Sequence, residues 1–179
     1  MKPLWSALAL LGALCACDQA PKAAPKADRP EASQPAKVAV LLQPRAGKPY
    51  RLMAELALSI EAQTKGLSGR NHVGPDEAML FPTFPPRPAS FWMKDTRVPL
   101  DMLFIRSTGE IEMIAHNAKP MDLTLISTGN PVVAVLELAG GRAAQLGLAE
   151  GDKVFWGPCL DARPAETVRT PTNFCVAQP

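Results

Sequence analysis

The sequence predicts a mainly β domain, a small partly closed β-barrel or strongly bent sheets with two short helices, preceded by a disordered tether. Three observations lead there. From Val38 onward, short apolar-rich runs recur, each bounded by Gly, Pro, Asn or Asp, which is the pattern of strands. Two brief segments between them carry helix start and stop residues. The segment before Val38 is rich in Ala, Pro and Lys and nearly free of large apolar side chains, so it cannot bury enough surface to offset ordering.

The N-terminus, "MKPLWSALALLGALCAC", has a basic residue, an apolar stretch from Leu4 and small residues before a cysteine. The apolar run is about a dozen residues, short for a bilayer span, and reads as a secretory signal over 1–16. Its end, Leu14-Cys15-Ala16-Cys17, resembles the bacterial lipoprotein box, with Cys17 as the lipid acceptor. Cys15 does not fit, because Leu14 precedes it where a small residue is wanted. Asp18 resembles the residue that retains lipoproteins in the inner membrane of enteric bacteria. These features predict a protein on the periplasmic face of a bacterial membrane, held by acyl chains, with the inner membrane favoured. Residues 17–36 then form a lipidated linker. In a polyproline-like conformation of about 3.1 Å per residue it would hold the domain on the order of 60 Å from the anchor.

The β domain is expected over 37–158. "KVAVLL", "YRLMAELAL", "AMLF", "ASFWM", "LDMLFI", "EIEMIAHNA", "LTLIS" and "PVVAVLEL" are its candidate strands, about eight in number. "STGEI" is a hairpin turn in which Gly109 can take positive φ. "SIEAQTKG" is a helix with Ser59 as N-cap and Gly66 as its stop, and "GGRAAQLG" is a second that ends at Gly147. In "LGLAEGDKVFW", Gly151 supplies a tight turn and Asp152 a side chain able to cap backbone N–H groups. The same letters resemble the end of a PDZ domain, but the glycine-bracketed loop that binds a peptide carboxylate is missing. Residues 159–179 form a C-terminal tail with few apolar side chains. Once the signal is removed and Cys17 is lipidated, Cys159 and Cys175 remain, and an oxidising compartment favours a disulfide between them.

Charge excludes one class of partner. The formal net charge is +2 and the charges are scattered, so no basic face for nucleic acid is expected. Candidate chemistry centres on "FWMKDTRVPLDMLFI". Alternation in an extended chain puts Asp101 on the face of Leu103 and Ile105, and Glu137 on the face of Val133 and Val135. Two half-buried carboxylates with Lys94 can form a polar site at one end of a barrel, and Trp92 can serve as a stacking platform. The plainer reading is a buried Lys94–Asp101 pair that fixes the strand-turn-strand geometry, with Glu137 bonded to backbone or to Arg142. Met79, Met93, Met102, Met113, Met121, His72 and His116 invite a thioether copper site, yet the methionines alternate into the expected core. No metal site, cofactor, nucleophile elbow or phosphate loop is implied.

Together "GLSGR", "AMLF", "FWMKDT", "PLDMLFI", "VLELAGG" and "LGLAEGDKV" resemble the bacterial and archaeal family called domain of unknown function 192, over roughly residues 50–156. The resemblance implies a largely β fold and no established activity. The chain departs from the family pattern at Ser68, where Met is usual, and at Asp95, where Asn is usual. The expected function is an envelope lipoprotein with a ligand-binding or accessory domain, whose partners are the membrane, through the anchor, and a small molecule or envelope protein. Trp92, Lys94, Asp101 and Glu137 are the candidate ligand contacts. The alternatives are an acid–base enzyme that uses Lys94 with Asp101 or Glu137, and a structural partner of an envelope complex.

Overall fold

The computed structural model describes residues 36–162 and 167–175; the expected signal, lipid acceptor and most of the linker lie outside them. The strands are β1 (Lys37–Gln43), β2 (Tyr50–Leu56), β3 (Glu77–Pro88), β4 (Leu100–Ile105), β5 (Ile111–Ala118), β6 (Pro131–Ala139), β7 (Lys153–Trp156), β8 (Val168–Thr170) and β9 (Asn173–Cys175). The helices are α1 (Ile60–Lys65), α2 (Arg142–Gln145) and α3 (Cys159–Ala162). All nine strands form one mixed sheet in the order β5-β4-β6-β3-β2-β1-β7-β9-β8. The β2–β3 pair is parallel, and its crossover carries α1. The sheet bends until the start of β5 meets the start of β7. There the Ile111 N–H donates to the Asp152 carbonyl (2.7 Å) and the Val154 N–H to the Gly109 carbonyl (2.8 Å). This seam holds one isolated bridge, Glu110 to Lys153, and does not close a barrel.

Most expected elements form where their local chemistry places them. The Ser59 side chain accepts from the Ala62 N–H (3.1 Å) at the start of α1, and Gly66 closes it with φ 48°. Asp152 is buried and accepts from the Arg45 N–H and the Ala149 N–H, each at 2.8 Å. Two expected strands do not form. "ASFWM" and "LTLIS" meet in a single bridge, Phe91 to Ile126, because Asp95 (φ 55°) and Met121 (φ 62°) turn the chain out of the extended region. These segments cover one face of the sheet, and Met93 is buried beneath it. The Asp95 conformation also supplies a backbone reason for Asn or Asp at that position, since both tolerate left-handed φ.

The C-terminal segment is more ordered than its composition suggested. Cys159 and Cys175 are joined by a disulfide, and β9 pairs with β7 at Trp156–Phe174. Those two rings stack with centroids 4.5 Å apart. A loop with a sequence separation of 16 contributes about 3 kcal/mol in the chain-entropy account of cross-linking.

The sheet is apolar on both faces, so β4 is buried at every position. One face collects Leu42, Leu80, Leu103, Leu136 and Trp156; the other collects Met79, Phe81, Met93, Met102 and Phe104. The register of β6 against β4 pairs Asp101 with Leu138 and Met102 with Glu137. Residues directly opposite share a face and neighbours along a strand do not. Asp101 and Glu137 therefore lie on opposite faces of the sheet. Val135 packs on the Glu137 side, whereas Val133, expected with it, packs in the other cluster. The register of β3 and β6 shifts between Pro82 and Arg87, near this point.

The expected Lys94–Asp101 pair does not form. Asp101 is fully buried and its carboxylate is held by backbone. Oδ1 accepts from the Asn117 N–H (2.8 Å) and the Gly141 N–H (3.0 Å), and Oδ2 from the Ala143 N–H (2.8 Å). A register shift in β5 opposite Asp101 and φ 49° at Asn117 accompany the first bond, as a β-bulge does. The second and third cap the first turn of α2 from a distant strand. Gly140 completes the junction: a Cβ there would lie 2.8 Å from the Pro99 Cβ and 2.9 Å from the Asn117 Oδ1. The motif letters "PLD" and "AGG" are thus two halves of one contact. Asp101→Ala removes the shared acceptor of three backbone donors, one of them in a buried bond and two in part-buried ones, and the expected loss is about 3–5 kcal/mol in urea unfolding. Asp101→Asn should lose less, because one oxygen still accepts. Wild-type stability for Asp101→Ala would contradict this junction.

Candidate ligand-binding cleft

On the face opposite Asp101, α1 and the segments 66–68 and 87–92 leave a cleft of about 410 Å³ over the sheet. This is within the range of small-molecule sites. Its walls are aromatic: Phe81 from β3 and Phe91 meet edge to face at 5.0 Å, and Trp92 stands at the mouth with half its surface exposed. Ile60 and Leu125, also at the mouth, are exposed apolar side chains. Exposed Lys65 and Arg87 line the same cleft. Neither forms an ion pair with a described residue.

Glu137 is part of the floor. It is 5% exposed, with Met79 and Met102 directly opposite on the flanking strands. Its Oε2 is buried and has no hydrogen-bond partner among the described residues. Burial pushes its carboxyl up to about 8, opposed by the charge of Arg70. Arg70 is itself committed to Glu55 at 2.6 Å. At neutral pH Glu137 is therefore mostly a neutral acid, with both an O–H donor and a carbonyl acceptor. A buried polar group without a partner is costly, on the order of 1–3 kcal/mol. Native structures keep few of them, and each calls for an explanation.

The four expected contacts divide. Trp92 and Glu137 line the cleft together. Lys94 is exposed, stands 5.7 Å over the Trp92 ring as a cation–π partner, and lines a smaller adjoining recess with Asp95. Asp101 belongs to the opposite face and to the backbone junction. The Lys94, Asp101 and Glu137 set expected for acid–base chemistry is therefore not assembled in one place. Arg142, the expected partner of Glu137, instead bonds Tyr50 and Asp76.

Sequence reading missed Lys65, Arg87, Phe81 and Phe91. The one available signal was the block "GLSGR". Gly66 stands against Phe81 and close to the Glu137 Oε2, and the Ser68 hydroxyl donates to the Lys94 carbonyl at 3.1 Å, which ties that block to the "FWMK" turn. Of the methionines weighed for copper and read as core, Met79, Met93 and Met102 are buried in one apolar cluster with Met113 packed against it, and Met121 is exposed.

A raised carboxyl carries a stability signature. The folded value lies above the ordinary one, so this contribution is complete at low pH and is lost as pH rises through about 8. Relative to Glu137→Gln, wild-type protein should lose on the order of 3 kcal/mol between pH 5 and pH 8 in denaturant unfolding. Parallel profiles for the two proteins would show that Glu137 is ionised in the fold.

Comparisons with known proteins agree with this architecture. Among curated proteins, none matches the chain. Two crystal structures align well. One is a Sinorhizobium meliloti protein whose description suggests a transcription regulator, with 41% identity over 67% of this chain and 93% of that one, and a TM-score of 0.65. The other is a Novosphingobium aromaticivorans protein of unknown function, with 39% identity over 69% and 94% of the two chains and a TM-score of 0.63. The profile of the DUF192 family, described as an uncharacterized ACR, matches residues 42–156, a span that contains both the Asp101 junction and the cleft. The chain belongs to the DUF192 family.

Proposed function

We propose that this chain is a lipid-anchored binding module of the bacterial envelope whose working site is the Glu137 cleft. The observation that carries this reading is the buried carboxyl in the cleft floor, whose Oε2 has no hydrogen-bond partner among the described residues. A group of that kind costs stability in the empty protein, and a bound molecule would supply the missing partner. The aromatic walls and exposed Trp92 support the same reading, since aromatic surface beside a few converging polar groups is typical of ligand sites. The lipoprotein box at Cys17, the linker and the Cys159–Cys175 bridge support placement in an oxidising envelope compartment.

Catalysis by Lys94, Asp101 and Glu137 is the weaker reading, because the backbone of the opposite face occupies Asp101. A purely structural partner needs an exposed apolar patch without a pocket, and here three of the exposed apolar residues, Ile60, Trp92 and Leu125, line a cleft. The regulator description is attached to the Sinorhizobium meliloti protein. For this chain, the net charge of +2 gives a nucleic-acid role no support.

One mass-spectrometric experiment tests both parts of the proposal. Protein is extracted from membranes with detergent and sprayed under native and then denaturing conditions. The denatured chain should begin at Cys17 and carry acyl mass. The native protein should carry a small molecule that is absent from Trp92→Ala, a substitution at an exposed side chain that leaves the core intact. A soluble chain cleaved elsewhere removes the anchor. An adduct unaffected by Trp92→Ala removes the cleft as its site.

A further inference from the structure

The groups around the cleft restrict what it can hold. Its lining contains two cations, Lys65 and Arg87, both exposed and without an ion-pair partner among the described residues. Its one acid is Glu137, buried in the floor. Every element packed around that acid adds to the same balance. The loop after α1 brings Arg70, which is paired with Glu55 of β2 and also feels Glu77 of β3. The end of α1 brings Lys65, and the end of β3 brings Arg87. β4 presents Met102, which is uncharged. Lys94 stands beyond Trp92 in the adjoining recess, where exposed Asp95 partly offsets it.

We infer that the cleft takes a small ring-bearing organic anion, its charge held at the mouth by Lys65 and Arg87, its ring against Phe91 and Trp92, and a hydroxyl hydrogen-bonded to Glu137. The inference rests on the cleft being the binding site and adds the class of ligand. An anion at the mouth meets unpaired cations, which lowers the cost of its desolvation. A ring meets aromatic faces and edges. The hydroxyl meets the Glu137 Oε2, a buried oxygen of the cleft floor that lacks a hydrogen-bond partner among the described residues. A cationic ligand would face Lys65 and Arg87 on entry, and would require Glu137 to ionise where burial opposes it.

The charge state of the floor makes the class testable. Ionised Glu137 repels an anionic ligand, so affinity should fall as pH rises past about 8. The probe is 4-(hydroxymethyl)benzoate, whose alcohol does not titrate in this range, followed by NMR shifts of the detergent-solubilised protein from pH 6 to pH 9. Its affinity should fall about tenfold between pH 7 and pH 9. Glu137→Gln should retain binding with a flat profile, because an amide still offers a donor and an acceptor. The double variant Lys65→Glu, Arg87→Glu should weaken binding about tenfold or more. Benzamidine serves as the cationic counterpart. Tighter benzamidine binding, strengthening with pH, overturns the anion class and leaves the cleft as the site. Absence of benzoate binding while the co-purified molecule is still lost in Trp92→Ala also overturns the class alone. A co-purified molecule indifferent to Trp92→Ala overturns the cleft itself.

Discussion

A single buried carboxylate organises the fold. Asp101 sits in a strand that is covered on both faces, and its two oxygens accept three backbone N–H groups, from the bulge of β5 and from the first turn of α2. Those segments are separate in sequence and meet at this one side chain. The carboxylate fixes the register of β4 against β5 and the exit of β6 at the same point. Gly140 is there because the chain passes too close to Pro99 for any side chain. Charge burial of this kind is tolerable because every oxygen is used.

Its counterpart one register step away is treated in the opposite manner. Glu137 faces the other side of the sheet between two methionines, and among the described residues no group hydrogen-bonds its Oε2. The two acids differ only slightly in chemistry. What separates them is the environment that a period of two residues assigns to each face. On one face, α2 and the β5 bulge close over the acid. On the other, α1 and the "FWMK" segment stand off and leave a cleft. The division explains how one sheet can be rigid at the Asp101 junction and still hold a group whose bonding is incomplete.

Much of this was legible in the sequence. Short bounded apolar runs gave the strands, Ser59 and Gly66 gave α1 its ends, and the leftover cysteines gave the disulfide. Alternation gave the correct face for Asp101, whose neighbours Leu103 and Ile105 pack with it. The errors have a common origin. Alternation assigns a side within one strand but does not say which sides of two strands coincide; that depends on pairing register, which here puts Met102, and not Asp101, opposite Glu137. The same limit produced Lys94 as the partner of Asp101, when backbone N–H groups contributed by long-range packing were available. "ASFWM" and "LTLIS" have the composition of strands, yet left-handed turns at Asp95 and Met121 withdraw them from the sheet. Nothing in the letters of Lys65, Arg87 or Phe81 marks them as neighbours, since a parallel crossover brings them together.

The account stands on Glu137 being kept for binding at the expense of stability. Its most direct test is the unfolding free energy of ligand-free Glu137→Leu at pH 7, set beside that of wild type. Replacing an unpartnered buried polar group by an apolar one of similar size is neutral or stabilising. Stability equal to or above wild type, with loss of the bound molecule, is the predicted result. A loss of about 2 kcal/mol or more would show that Glu137 holds the sheet together as Asp101 does, and would contradict the account.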